Sequence, residues 1–316
     1  VVPTHTVPQG LTAMMNADPE QECEELLASM TEAIKNVTTA QITYAARNSD
    51  FDGFAIKQGD YMALADGKLF GTEQDITAML EQLAQAGVLA DLSAYDTSIY
   101  NKDTVVSKNY LIQCRVGGAV VLNTELLKEK NLPEPTSYED LLDPKYKGLI
   151  SMANPKSSGT GYMFYKSLVN AWGEQKALEY FDKLTPNVLQ YTSSGSGPVN
   201  ALLQKEVAIG FGMTSHAVTQ INEGAPLKVV FFEEGSPYTM YGQSMIAGKD
   251  ERESVKEVFD FLVNTYSYEL NEKFFPEQMF KDKTPQVQNY PTNIKYSDMS
   301  NNTIEEKERL LGLWKY

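Results

Sequence analysis

Apolar residues recur at helical spacing in several stretches of the chain and fall in short unbroken blocks in others. Leu26, Met30 and Ile34 repeat at i, i+4 behind Asp18-Pro19-Glu20-Gln21. That tetrapeptide is a helix start, with Asp18 as N-cap, Pro19 at the first position and Gln21 at the third. Ile76, Leu80 and Leu83 share a face between about Asp75 and Ala86, and Gly87 is the stop. Phe164, Leu168 and Trp172 predict a helix over 159–172. Asp250-x-x-Glu253 reads as a capping box before Val255, Phe259, Leu262 and Tyr266. Further helices are predicted over 125–130, 136–142, from about 214 to 223 with Gly224 as stop, and over 304–314.

The apolar blocks at 118–123, 148–152, 207–213 and 228–232 read as buried strands. Strands and helices therefore alternate after Gly87, which predicts an α/β fold with largely parallel sheets. The texture before Gly87 differs. Val1–Val7, Gln41–Arg47, Phe54–Ile56 and Tyr61–Ala65 are extended segments, with turns at Asp52-Gly53, Gly59-Asp60 and Asp66-Gly67 among them. They predict a small β-rich unit. The stretch 281–302 is polar and rich in Pro and Asn, and is expected to wrap the surface.

Length and composition narrow the classes. A chain of 316 residues is two domains or one two-lobed α/β unit. With 42% hydrophobic residues it is neither disordered nor fibrous. A net charge of −15 argues against a nucleic-acid partner, because phosphate binding draws on clustered Lys and Arg. Cys23 and Cys114 are too few for a disulfide scaffold and read as buried thiols. His5 and His216 limit any triad or His-rich metal site. There is no Gly-x-Ser-x-Gly elbow, no His-Glu-x-x-His and no Cys-x-x-Cys. The expectation is a binding protein without catalysis, cofactor or metal. The terminus Val1-Val2-Pro3 shows no basic stretch leading into an apolar one, so an export signal is not expected within these residues.

Three segments share one chemical design. Asn154 to Gly161, with Ser157, Ser158, Gly159 and Thr160, follows a strand and opens a helix. Tyr191 to Pro198, with Ser194, Gly195 and Ser196, opens another, and Met213-Thr214-Ser215-His216 a third. A helix N-terminus carries free N–H groups and partial positive charge, small hydroxyl residues add donors, and glycine admits a close approach. Three such ends together would bind an anion with little help from Lys or Arg. Taken singly, each is equally an ordinary N-cap. Glu234, Tyr238 and Tyr241 lie around Gly235-Ser236-Pro237 and suit a ligand hydroxyl or ammonium, or simply flank a turn. Arg115 suits a carboxylate, of a ligand or, at the surface, of the protein.

From about Gly87 onward the chain resembles the type 2 solute-binding proteins of ABC importers, in the branch with ferric-ion, phosphonate and sugar-phosphate binders. The resemblance lies in Val121-Leu122-Asn123-Thr124-Glu125-Leu126-Leu127, in Ser137 to Gly148, in Asn154-Pro155 with Ser157-Ser158-Gly159-Thr160, in Tyr191 to Val199, and in Glu234 to Tyr238. It implies a periplasmic-binding-protein architecture of two α/β lobes that close on a ligand. It implies ligand contacts at Ser157, Ser158, Thr160, Ser194, Gly195 and Ser196, and further at Thr214, His216, Glu234 and Tyr238. An importer permease as membrane partner, a monomeric state and an extracytoplasmic location follow from it too. Ferric binders present adjacent tyrosines where this chain has Thr214-Ser215-His216, so the implied ligand is a small oxyanion, a phosphonate or phosphate ester. Residues 1 to about 70 instead resemble an internal piece of a fatty-acid-kinase-like protein of the dihydroxyacetone-kinase superfamily. That resemblance rests on Val2-Pro3-Thr4, Met30 to Lys35, Gln41 to Arg47 and Gly59-Asp60-Tyr61. No phosphoryl-transfer machinery accompanies it. The expected division is an atypical N-terminal segment, 1–86, and solute-binding lobes, 87–316. A natural fusion, a chimera without a working site and an acyl-binding accessory protein all stay open at this level.

Overall fold

The computed structural model describes residues 76–316, apart from 103, 105–106, 269–270, 272–275, 278 and 282–285, together with three short strands before them. The expected strands at 1–7 and 41–47, the helix behind Asp18, and Cys23 lie outside the described residues. In chain order the strands and helices are β1 (Phe54–Ala55), β2 (Ala63–Ala65), β3 (Lys68–Phe70), α1 (Ile76–Gln85), β4 (Leu111–Asn123) and α2 (Thr124–Glu129). Two 3₁₀ turns, Glu139–Leu142 and Pro144–Tyr146, lead to β5 (Ile150–Ala153), α3 (Gly159–Trp172), α4 (Glu174–Leu184) and β6 (Val188–Thr192). Then come α5 (Gly197–Leu203), β7 (Ile209–Met213), α6 (Thr214–Asn222), β8 (Leu227–Val230) and β9 (Tyr238–Met245). Last are α7 (Glu253–Phe261), which runs into a π-helical turn over Leu262–Tyr266, and α8 (Ile304–Leu313). The chain divides into two units, one of residues 1–115 and 240–287, the other of 116–239 and 288–316.

The second unit is built on a sheet in the order β8-β4-β7-β5-β6. Strand β5 runs parallel to β7 (Ile150 opposite Ile209) and to β6 (Ser151 opposite Gln190). Strand β4 is antiparallel to both β7 and β8, with Val120 opposite Phe211 on one side and Val230 on the other. The sheet is therefore mixed, and the parallel expectation holds only for β7, β5 and β6. The reason is β4 itself: all thirteen of its residues are buried, and its apolar block 116–122 carries no sign of direction. Its side chains alternate as a strand must. Val120 and Leu122 face Ile150, Met152, Phe164, Leu168, Phe181 and Phe211, while Val121 faces Val199, Leu202 and Ala217. Each such large side chain contributes about 1.5–3 kcal/mol by burial.

Several local expectations are revised. The helix predicted over 136–142 tightens to the 3₁₀ turn Glu139–Leu142, because the Asp140 carboxylate accepts from Thr136 N, Thr136 Oγ1 and Ser137 N. Asp250 does not cap α7: it accepts from Gly248 N at 2.8 Å, and Arg252 holds the N-cap position without a side-chain bond. The elements predicted from the apolar pattern do not include helix α4 or strands β6 and β9. Helix α4 follows directly on α3 because Gly173 takes φ +85°, a conformation open to glycine.

In the first unit β2 and β3 form a hairpin and β1 pairs with β9, Phe54 opposite Met245. Helix α1 ends before Gly87 at φ +71°, as its sequence predicts. It packs on Gly242, where a Cβ would come within 2.5 Å of Leu80 Cδ1. Ser267 ties this unit's interior together, taking a bond from Gln243 Nε2 on its hydroxyl and one from Asn271 Nδ2 on its carbonyl. Cys114 is a buried thiol whose pKa burial pushes well up, which disfavours the thiolate. Among the described residues no helix is long and apolar enough to cross a membrane.

Candidate functional site

The three parallel strands of the second unit all turn into helices at the same sheet edge. Strand β5 leads to α3, β6 to α5 and β7 to α6. The carboxyl ends of parallel strands are where open α/β sheets bind ligands, because helix N-termini gather there.

The first loop is organised by Asn154. Its side-chain oxygen accepts from Lys156 N, and its carbonyl accepts from Ser157 N at 3.1 Å and Ser158 N at 2.9 Å. Its own N–H bonds to Thr192 O of β6, which fixes the loop against its neighbour. Ser158 holds the N-cap position of α3 in extended conformation but makes no side-chain cap bond. The simple capping role is thus not how this hydroxyl is used. Gly159 and Thr160 form the first turn, whose N–H groups lack intrahelical acceptors. Gly161 must be glycine, since a Cβ would sit 2.2 Å from Ala153 O.

In the second loop Ser194 and Ser196 hydroxyls lie 3.1 Å apart and share a hydrogen bond. Thr192 Oγ1 donates to Ser194 O, and Gly197 N does so at 3.2 Å. Ser196 is the N-cap residue of α5, also without a side-chain cap bond, and Pro198 follows Gly197 in the first turn. The loops meet at Gly195. A Cβ there would lie 2.2 Å from Thr160 Oγ1 and 3.5 Å from Ser158 Oγ. The two Ser-Ser-Gly segments, 36 positions apart from Ser157 to Ser193 by their numbering, form one patch of small polar residues.

At the third strand end, Thr214 opens α6. It is 0% exposed, and its Oγ1 has no hydrogen-bond partner among the described residues. His216, two residues on, has a buried Nδ1 in the same condition. Burial lowers the His216 pKa, with Glu223 working weakly the other way, so the imidazole is neutral at neutral pH. Any bond it gives an anion comes from neutral imidazole. Tyr238 begins β9, with its ring edge-on to Tyr296. It is held to this edge because Gly118 N donates to Pro237 O and Ser236 Oγ to Gly118 O, and Gly118 lies opposite Met213.

Within the second unit, one expected site residue is placed away from the patch. The Glu234 carboxylate accepts from Trp172 Nε1 at 3.0 Å. Trp172 is the last residue of α3, a helix about 20 Å long that begins at the serine patch. Glu234 therefore buttresses the far end of that helix. Arg115 and Tyr241 belong to the first unit. Arg115 is 0% exposed within β4, so its pairing at the surface is ruled out. Tyr241 is half-buried in β9. Conversely, the organising roles of Asn154 and Thr192 emerge only from the structure. Asn before Pro, with a free N–H two residues on, is an Asx-turn signature that would have found the first. Among the described residues no group of three His, Cys, Asp or Glu side chains could hold a metal.

Comparison with known proteins sets this geometry in a family. Residues 75–307 match the bacterial extracellular solute-binding proteins, and the chain belongs to that family. Residues 1–106 match the C-terminal region of FakA-like fatty acid kinase proteins. The fold is that of type 2 periplasmic binding proteins. AfuA of Actinobacillus pleuropneumoniae, solved with exogenous fructose-6-phosphate bound, superposes with a TM-score of 0.64 at 22% identity, over 98% of this chain and 95% of AfuA. The periplasmic binding protein P5PA gives 0.61 at 24% identity, over 76% and 80% of the two chains. The apo ferric ion-binding protein A of Pasteurella haemolytica gives 0.59 at 15%, over 76% and 78%. An uncharacterized protein of Haemophilus influenzae is 35% identical over 47% of this chain, which spans 43% of that relative. Protein YloV of Bacillus subtilis is 34% identical over 33% of this chain, which spans 18% of YloV.

Proposed function

We propose that this protein is the extracytoplasmic solute-binding component of an ABC importer, and that it binds a small anion such as a phosphonate or phosphate ester without chemistry. The observation that carries the reading is the meeting of Ser158, Thr160 and Gly195 at helix starts whose serines are not spent on capping. The hydroxyls of Ser157, Ser158, Thr160, Ser194 and Ser196 and the first-turn N–H groups of Gly159 and Thr160 hold the anion beside Gly195, with Thr214, His216 and Tyr238 along the same edge. The buried, unpartnered Thr214 hydroxyl supports this, because such a group costs about 1–3 kcal/mol unless something bonds to it. Closure of two lobes delivers the monomer to a membrane permease, as the family membership suggests. The neighbour solved with fructose-6-phosphate makes hexose phosphates the first probes.

The test is a thermal-shift and calorimetric screen against inorganic phosphate, aminoethylphosphonate, glycerol phosphate, hexose phosphates, ferric citrate and a fatty acid. A ligand at about a hundred times its dissociation constant raises stability by roughly 2.7 kcal/mol. A shift with a phosphorylated compound is expected, and its loss in the Ser158→Ala/Ser196→Ala double variant. A shift only with ferric citrate, or an unchanged affinity in the double variant, overturns the reading. A second reading rests on the match of residues 1–106 to FakA-like fatty acid kinase proteins. In it, an N-terminal segment of about 1–86 is an acyl-binding accessory part, and a response to the fatty acid alone selects it.

A further inference from the structure

The segment after α8 is tied to both loops of the serine patch. Trp314 is 2% exposed and packs against Tyr165, Phe181 and Tyr191, with ring centroids at 5.1, 5.0 and 5.6 Å. Lys315 Nζ lies 3.1 Å from Asp182 of α4, and the Tyr316 hydroxyl donates to the same carboxylate. The Tyr316 ring stacks on Tyr191, 5.9 Å between centroids and 9° from parallel. The Tyr316 main-chain oxygen accepts from Asn154 Nδ2 at 3.1 Å.

Both contacts lead to the patch. Asn154 carries the turn that orients Ser157 and Ser158. Tyr191 precedes Thr192, whose carbonyl accepts from Asn154 N and whose hydroxyl donates to Ser194 O. One residue thus presses on the base of each loop. We propose that Tyr316 is a positioning residue, which holds Asn154 and Tyr191 so that Ser158 and Gly195 are already juxtaposed before any solute arrives. This rests on the anion-binding reading above. Its physical content is preorganisation: loops held in place do not lose that freedom on binding. Asp182 supports Tyr316 by accepting from its hydroxyl.

The test compares Tyr316→Ala, Tyr316→Phe and Asp182→Asn with the parent, all full-length. Amide hydrogen exchange of the solute-free proteins is read at the hydrogen-bonded Ser157, Ser158 and Gly197 N–H groups. Tyr316→Ala is expected to speed exchange there about tenfold while the β7 amides are unchanged. Its affinity for fructose-6-phosphate and for inorganic phosphate should fall by about the same factor. Tyr316→Phe keeps the stack and should restore most of the protection, and Asp182→Asn should show a smaller loosening confined to the same amides. Unchanged exchange in Tyr316→Ala, or equal acceleration throughout the unit, overturns the inference. Failure of the parent to bind either probe counts against the proposed function instead, and the exchange data remain readable without it.

Discussion

Gly195 and His216 show what single residues contribute. At Gly195 the space that a methyl group would fill is taken by Thr160, which is why two loops distant in sequence share one patch. His216 has a folded-state pKa below its ordinary 6.5 because its ring is buried. As pH falls through about 6.5 the unfolded chain takes up a proton that the folded chain resists, so acidification costs stability, and this histidine's contribution rises again with pH. Thermal melts at about pH 7.5 and about pH 5.5 should show a smaller acid-induced drop in His216→Gln than in the parent. Equal drops would mean that burial of the ring does not disfavour its charged form in the folded state.

At the scale of elements, the contact between α3 and β5 decides the geometry of the first loop. Gly161 lies in the first turn of α3, and its missing side chain lets the helix come against the Ala153 carbonyl. Backbone cannot rotate away as a side chain can. Gly161→Ala is expected to destabilise by about 1–3 kcal/mol, as overpacking does. Gly312 offers the opposite case. It sits in α8 with open space where a Cβ would go, so Gly312→Ala should stabilise by about 0.5–1 kcal/mol through helix propensity alone. Urea denaturation of both variants checks the two signs, and a destabilised Gly312→Ala would contradict the helical account of that segment. The helix over 159–172 was legible because Phe164, Leu168 and Trp172 keep one face and Gly173 ends it. Helix α4 carried a similar signal in Ala177, Phe181 and Leu184, spaced three or four apart, and was readable in principle.

At the scale of the whole molecule, an acidic chain that takes the proposed anion does so against its own field. A net charge of −15 repels phosphate at long range, so the attraction has to be local, from dipoles and hydroxyls at short distance. Salt screens the long-range repulsion over about 8–10 Å while leaving short hydrogen bonds nearly untouched. Affinity for a phosphorylated solute should therefore change less than about threefold between roughly 0.05 and 0.3 M sodium chloride. A steep loss of affinity with salt in a calorimetric series would point to exposed Lys or Arg contacts instead of the serine patch.

The sequence alone determined the α/β class, the three strand-to-helix junctions with their Ser, Thr and Gly residues, and the family likeness from Gly87 onward. These are local matters: spacing of apolar residues, glycine stops and hydroxyls before helices are set by neighbours a few residues away. Tertiary structure decided which junctions stand together. It joined Ser158 and Thr160 to Gly195, buried Thr214, and sent the Glu234 carboxylate to Trp172 at the other end of α3. It also set β4 antiparallel to β7 and β8. Strand order and direction depend on pairing between segments far apart in the chain, and a buried apolar run such as 116–122 packs equally well in either direction until its partners are in place.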